Sequence, residues 1–145
     1  MPPAMVAQDY ARTYRANSIL TAGPGQLVLM LYDGALRALS IAQDGFSRPP
    51  QDIRRFEVIN TQLLKAQAII GELQDTLDHQ AGGEFAATMH RLYDYYNRRL
   101  IDANIRKQVA PVVEVEKLLR EVRDAWAEML QQHEPVRSES IRGLA

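Results

Sequence analysis

Residues 27–32 read Leu27-Val28-Leu29-Met30-Leu31-Tyr32, six apolar or aromatic side chains in succession. At about 100° per residue such a run covers more than a full turn of an α-helix. The helix that contains it is therefore apolar on every side for one to two turns. Pro24 suits its first turn, with Thr21 as the capping residue. The stretch Ser47-Arg48-Pro49-Pro50 ends it, so the helix is predicted from Pro24 to about Phe46. One packing partner covers only one face. A helix of this kind is either buried on several sides or kept for a binding partner.

Outward from this helix the chain shows three more periodic segments, separated by Pro and Gly. Asp52 can open a second helix, in which Phe56, Ile59, Leu63, Ala66, Ile70, Leu73 and Leu77 recur at alternating spacings of three and four. That is a heptad seam. His79-Gln80-Ala81-Gly82-Gly83 ends it. A third helix is predicted from Glu84 to about Lys107, with the stripe Phe85, Met89, Leu92, Tyr96, Leu100 and Ala103. Pro111 starts a fourth, with Val112, Val115, Leu119, Val122, Trp126 and Met129, running to about Gln132 and stopped by Pro135. No segment alternates with period two, so no sheet is predicted. Four long helices with short connections favour an all-α, antiparallel up-down four-helix bundle over 21–133. The segment 1–20 is too poor in apolar anchors to be a fifth bundle helix and is expected to lie against the bundle as a detachable cover. Residues 134–145 are expected to form a mobile tail.

Composition narrows the function. The chain has 145 residues, enough for one domain with a full core, and 46% of them are hydrophobic. A formal charge of −1 supplies no overall field for nucleic acid or for an anionic membrane. The absence of cysteine excludes disulfides, thiol catalysis and cysteine–zinc sites. Neither a signal peptide nor the ~20 apolar residues of a membrane span is present, so the protein is expected to be cytoplasmic. The sequence offers no catalytic residues, no metal ligands and no cofactor site. No Glu-x-x-His pair of a di-iron bundle occurs, and Gly23-Pro24-Gly25 lacks the Lys and Ser/Thr of a phosphate loop.

His90 carries the one competing function. It is predicted mid-helix beside the apolar stripe, as in a bundle-type histidine phosphotransfer domain. His90-Arg91-Leu92 resembles the start of that signature, but Tyr93-Asp94 replaces the Lys-Gly that follows. Asp94 at i+4 would repel a phosphoryl group, and the plainer reading is an exposed ion pair. Arg98, Arg99, Arg106 and Lys107 form a basic end to the same helix, which the helix dipole accounts for.

Two apolar excesses remain. Leu27, Met30, Leu31, Tyr32 and Leu36 almost encircle the first helix, and Leu92, Tyr93, Tyr95 and Tyr96 are nearly consecutive on the third. Not all can point inward. Half-apolar, half-wet tyrosines suit interfaces, and long apolar grooves suit amphipathic helices of another protein.

The ordered set Gln8-Asp9-Tyr10-Ala11, Leu20-Thr21-Ala22-Gly23-Pro24-Gly25-Gln26-Leu27, Met30-Leu31-Tyr32-Asp33-Gly34-Ala35-Leu36, Gly82-Gly83-Glu84, Leu92-Tyr93-Asp94-Tyr95, Ala103-Asn104 and Val115-Glu116-Lys117-Leu118-Leu119 resembles the flagellar secretion chaperone family FliS. The resemblance spans about residues 8–130. Gly23 stands where that family often has Ser, and Tyr96 where Met is common. The resemblance implies a cytoplasmic, ATP-independent chaperone that holds the disordered C-terminal segment of flagellin, prevents premature polymerisation and supports type III export. It implies an N-terminal segment that covers the binding surface and moves aside. It leaves open an export-gate component or a co-chaperone as a second partner. Expected flagellin contacts are Tyr10, from the family's N-terminal tyrosine, Leu27, Met30, Leu31, Tyr32, Leu36, Tyr93 and Tyr96, from the two apolar excesses, and Asn104, from the family's Ala-Asn motif.

Overall fold

The computed structural model describes residues 24–144, with side chains to 132. Four helices fill it: α1 (Pro24–Phe46), α2 (Arg55–Asp75), α3 (His79–Arg106) and α4 (Ala110–Leu144). Each packs on two neighbours in the ring α1–α2–α3–α4–α1, with α1–α2 the most extensive interface and α3–α4 the least. Cross-helix bonds give the directions. Gly25, Asp33 and Gln43 on α1 meet Trp126, Arg123 and Glu116 on α4 in descending order. Asn60, Gln67 and Gln74 on α2 meet Asn104, Asn97 and Asp94 on α3 in the same way. The predicted antiparallel up-down bundle is the observed one. The segment 1–20, and with it Tyr10 and the Thr21 cap, lies outside the described residues.

α1 spans the predicted residues and buries Tyr32, Ala35, Leu36, Ala38, Leu39, Ala42 and Gly45 along one face. Its buried face is large at one end and small at the other. A Cβ on Gly45 would sit 3.0 Å from Val58 Cγ1 and 3.1 Å from Ile59 Cγ1, so glycine lets α1 and α2 close tightly there.

α2 begins at Arg55, not at Asp52. Asp52 instead organises the preceding turn, its Oδ1 accepting from Arg54 N at 2.9 Å and its carbonyl from Arg55 N at 3.1 Å. The seam is buried at Ile59, Leu63, Ala66, Ile70 and Leu73. Phe56, predicted on that seam, is 56% exposed. It lies in the first turn, past the reach of the core, between the cations of Arg55 and Lys107, at 5.6 and 5.8 Å from its ring.

α3 starts at His79 behind an Asp78 cap whose Oδ1 accepts from Gln80 N and Ala81 N, both at 3.0 Å. One turn later Gly83, at φ 52° and ψ −124°, breaks the helix before it continues. The predicted start at Glu84 is thus the start of the long part, and the glycines kink the chain where they were expected to end a helix. The inward stripe is Ala86, Met89, Tyr93, Tyr96, Leu100 and Ala103. It replaces the predicted Phe85 and Leu92 with Ala86 and Tyr93, a slip of one residue; Phe85 is 65% exposed. Lys107 closes α3 in the left-handed conformation, its N–H and that of Gln108 returning to the Ala103 carbonyl.

In α4, Val112, Val115 and Leu119 are fully buried, while Val122 and Trp126 pack on the core from its edge. Pro135 does not stop this helix, which continues to Leu144. Proline removes one backbone donor and crowds one carbonyl, and the good helix formers around it carry the helix past that defect.

Away from the α1 N-terminus, a polar clamp joins α3 to α4. Arg99 Nε donates to Glu114 Oε1 at 2.7 Å, and the Tyr95 hydroxyl donates to Glu114 Oε2 at 2.8 Å. Arg99 also pairs with Asp102, and Arg106 with Asp102 at 2.9 Å. Arg99 and Arg106, two of the four cations at the basic end of α3, are therefore paired within the protein. Arg99 first, then Tyr95, holds the Glu114 carboxyl below its ordinary value. A depressed carboxyl contributes stability that is complete above the unfolded-state pKa and is lost as pH falls through the folded one. The melting temperature of Glu114→Gln should therefore lie below wild type at neutral pH, and the gap should close below about pH 4. A gap that is independent of pH in thermal melts would show that Glu114 acts by packing instead.

Candidate functional site

The buried ends of α1 and α3 meet at two tyrosines. The hydroxyls of Tyr32 and Tyr93 hydrogen-bond each other across the bundle diagonal, with 3% and 2% of each residue exposed. Burial pushes both phenols above their ordinary pKa, so the pair is neutral at physiological pH. Tyr96 is buried beside them, its ring edge-on to Tyr93 at 6.2 Å, and is shifted upward for the same reason. The three rings fill the space between the diagonal helices at this end of the bundle.

Above this pair the bundle is open. A groove of about 820 Å3 runs between α1, the start of α3 and the second half of α4. Tyr32, Tyr93, Met89 and Ala86 form its floor. Val28, Val122, Ala125, Trp126 and Met129 line one side, and Leu77, Ala81 and Phe85 the other. Its polar groups are few: Thr76, Asp78, Glu121 and the tyrosine hydroxyls. The Gly83 break sets the first turn of α3 at an angle and leaves Phe85 facing outward. On the opposite wall, Trp126 Nε1 donates to the Gly25 carbonyl at 2.9 Å, which satisfies the indole and fixes its ring. A Cβ on Gly25 would lie 2.5 Å from Leu130 Cδ2, so a larger residue here would have to displace the Leu130 side chain.

The structure gathers only part of the predicted contact set. Tyr32 and Tyr93 line the groove, from its floor. Tyr93 was expected to stand clear of the inward stripe; it is instead part of the core, because the stripe of α3, unchanged at Met89, Tyr96, Leu100 and Ala103, takes Tyr93 in place of Leu92. Leu36 and Tyr96 are core residues. Leu27, Met30 and Leu31 are half-buried and outside the groove lining. Of the apolar sleeve of α1, Tyr32 and Leu36 are in the core, and Val28 and Leu31 pack against it. Asn104 lies at the other end of the molecule, donating to Asn60 Oδ1 at 2.9 Å and accepting from Lys107 Nζ, so it ties α3 to α2. Phe85, Trp126 and Met129 were assigned to core seams and instead line the groove. The signal available for Phe85 was its position two residues after the Gly82-Gly83 pair.

His90 stands outside the groove. Its Nε2 is 3.7 Å from Asp94 Oδ2, and its ring meets that of His79 edge-on at 5.5 Å. The Asp94 carboxylate stands beside the imidazole, where its charge would oppose a phosphoryl group. Among the described residues no group of three or more His, Asp or Glu is placed to hold a metal ion, and no helix is long and apolar enough to cross a membrane.

Fold and groove together define a class: all-α bundles that present an open apolar groove at one end. Comparison with known proteins is specific within that class. The profile of the family described as flagellar protein FliS matches residues 6–133. A flagellar secretion chaperone FliS of Bacillus subtilis (strain 168) is 38% identical over 127 residues, 88% of this chain and 90% of that protein. The protein of the same name from Salmonella typhimurium is 36% identical over 121 residues, 83% and 86% of the two chains. That from Escherichia coli (strain K12) is 34% identical over 133 residues, 90% and 93%. The chain belongs to the FliS family of flagellar proteins. The relatives are named as chaperones, and nothing among them supports phosphotransfer through His90.

Replacing Tyr93 by Phe leaves the Tyr32 hydroxyl buried without its partner, and should lower the unfolding free energy by about 1–3 kcal/mol in chemical denaturation. The double change Tyr32→Phe/Tyr93→Phe should cost less than the sum of the single changes. Strict additivity would mean that the two hydroxyls do not depend on each other.

Proposed function

We propose that this protein is a cytoplasmic chaperone that holds the C-terminal segment of flagellin in the groove above the tyrosine pair. The groove carries the reading. It is apolar, open along one side and supported by rigid helices, which suits an amphipathic helix laid into it. Membership of the FliS family supplies the substrate class, since a flagellar secretion chaperone needs a subunit to escort. Nothing in this action requires ATP. A segment that is disordered when free exposes the apolar stripe by which subunits polymerise. Binding that stripe lowers the concentration able to assemble, by mass action, and leaves the subunit available to an export-gate component.

Within this reading the contact set narrows. Phe85, Met129 and Trp126 form the walls a bound helix would touch, with Tyr32 and Tyr93 beneath. Leu27, Met30 and Leu31 would act at the margin, Leu36 and Tyr96 by holding the floor, and Asn104 by holding the far end. Segment 1–20, Tyr10 included, is proposed as a displaceable cover of the same groove.

Trp126 is the only tryptophan, so its emission reports on the groove. Titration with a peptide of the flagellin C-terminal segment should shift that emission and show a negative heat-capacity change, as coupled folding requires. Phe85→Asp should weaken binding at least tenfold, about 1.4 kcal/mol, with little change in melting temperature, because this side chain is already mostly exposed. His90→Ala should bind as wild type does. Normal binding by a folded Phe85→Asp protein would remove the groove from the mechanism.

A further inference from the structure

Two charged side chains line the groove, and both are carboxylates: Asp78 at the start of α3 and Glu121 on α4. They differ in what they hold. Asp78 caps α3, its Oδ1 accepting from Gln80 N and Ala81 N. Glu121 is exposed and makes no hydrogen bond or ion pair among the described residues. The cations around it are turned elsewhere. On α4, Arg120 pairs with Glu116 and Arg123 with Asp33, both at 2.8 Å. Lys117, one turn before Glu121 and outside the groove lining, forms no ion pair with it. On α3, Arg99, which reaches across to α4, is held by Glu114 and Asp102.

The negative edge continues along α4. Glu128 follows Glu121 by seven residues, so it lies on the same face, roughly 10 Å further along the axis. It too is exposed and makes no ion pair among the described residues. The Glu121 charge also reaches the tyrosines beneath the groove. Burial is the first cause that raises the Tyr96 phenol, and the neighbouring Tyr32 and the Glu121 carboxylate raise it further.

A helix laid into the groove would take water from the Glu121 carboxylate. A charge covered without a partner is costly. An acidic side chain on the incoming helix would add repulsion, whereas a cation would relieve both penalties and fix the register of the helix.

We propose that the groove selects an amphipathic helix whose apolar stripe is flanked by Lys or Arg, and that Glu121 is the side chain that reads the cation. Glu128 extends the preference to a second cation about seven residues away on the same helix. This inference rests on the reading that the groove takes a helix of the escorted subunit, and adds the charge that helix must carry.

The test uses the full chain and two synthetic helical peptides of roughly 18 residues, about five turns. They share one apolar stripe of Leu at three- and four-residue spacing. One carries Lys at the flanking positions and the other Glu. The basic peptide should shift Trp126 emission and bind at least tenfold more tightly than the acidic one, by an advantage that shrinks as salt is raised. Glu121→Gln, which keeps the shape and removes the charge, should reduce that advantage at least threefold. Glu121→Lys/Glu128→Lys should reverse it. Both positions are exposed, and thermal melts verify that the variants fold. Glu57→Gln, an exposed carboxylate in the first turn of α2, should leave the advantage unchanged. Equal binding of the two peptides at the groove leaves the groove reading standing and overturns this inference alone. So does an equal effect of Glu57→Gln and Glu121→Gln, because net charge would then be all that is sensed. If neither peptide moves Trp126 emission, the groove reading falls and this inference falls with it.

Discussion

The distance between α1 and its partners is fixed by the size of the side chains α1 buries, and the rest of the molecule follows from that gradient. Towards its C-terminus α1 buries Ala38, Ala42 and Gly45, and α2 closes on it until a single added methyl would collide with Val58. Towards its N-terminus it buries Tyr32, whose ring and hydroxyl need the space that Tyr93 shares from the diagonal helix. Close packing leaves no choice at either end. The small residues serve the contact of α1 with α2, and the tyrosine pair fills the bundle at the end where the groove lies. That pair is a buried polar contact, and leaving one hydroxyl unpaired would cost more than losing an apolar contact of equal size.

Most of the architecture was legible because it depends on periodicity. The seams of the second and fourth helices could be read from their spacings of three and four, and burial of Ile59, Leu63, Ile70, Val115 and Leu119 bears them out. What periodicity cannot show is where a seam outruns its partners. Phe56, Phe85 and Met129 all obey the pattern and all lie where a neighbouring helix has ended or turned away. Asp52 and Pro135 illustrate a second limit. A local signal for starting or stopping a helix was present in each case, and its neighbours outweighed it, through a tighter turn at Asp52 and through helix-forming flanks at Pro135.

The site was legible in part for a related reason. A count of apolar residues on α1 correctly shows an excess over what one partner can cover, but it cannot divide that excess between two packing neighbours and a third face left for a ligand. On α3 the choice between Leu92 and Tyr93 for the inward position rests on one residue of phase. Tyrosine is the larger and more polar of the two, and its inward place is matched by a second tyrosine with which it shares a hydrogen bond. That pairing spans 61 positions of sequence, and no local pattern announces it. Phe85 was hidden by the opposite effect: a backbone break at Gly83, not a change in side-chain pattern, turns it away from the core.

The up-down course of the chain has a practical corollary. α1 begins and α4 passes beyond Met129 at the same end of the bundle, where Trp126 and Gly25 touch. A label attached at the first turn of α1 or beside Met129 would therefore crowd the groove. The connections between α1 and α2 and between α3 and α4 lie at the far end. A label for surface capture or imaging placed within 47–54, where the side chains are largely exposed, leaves the groove free.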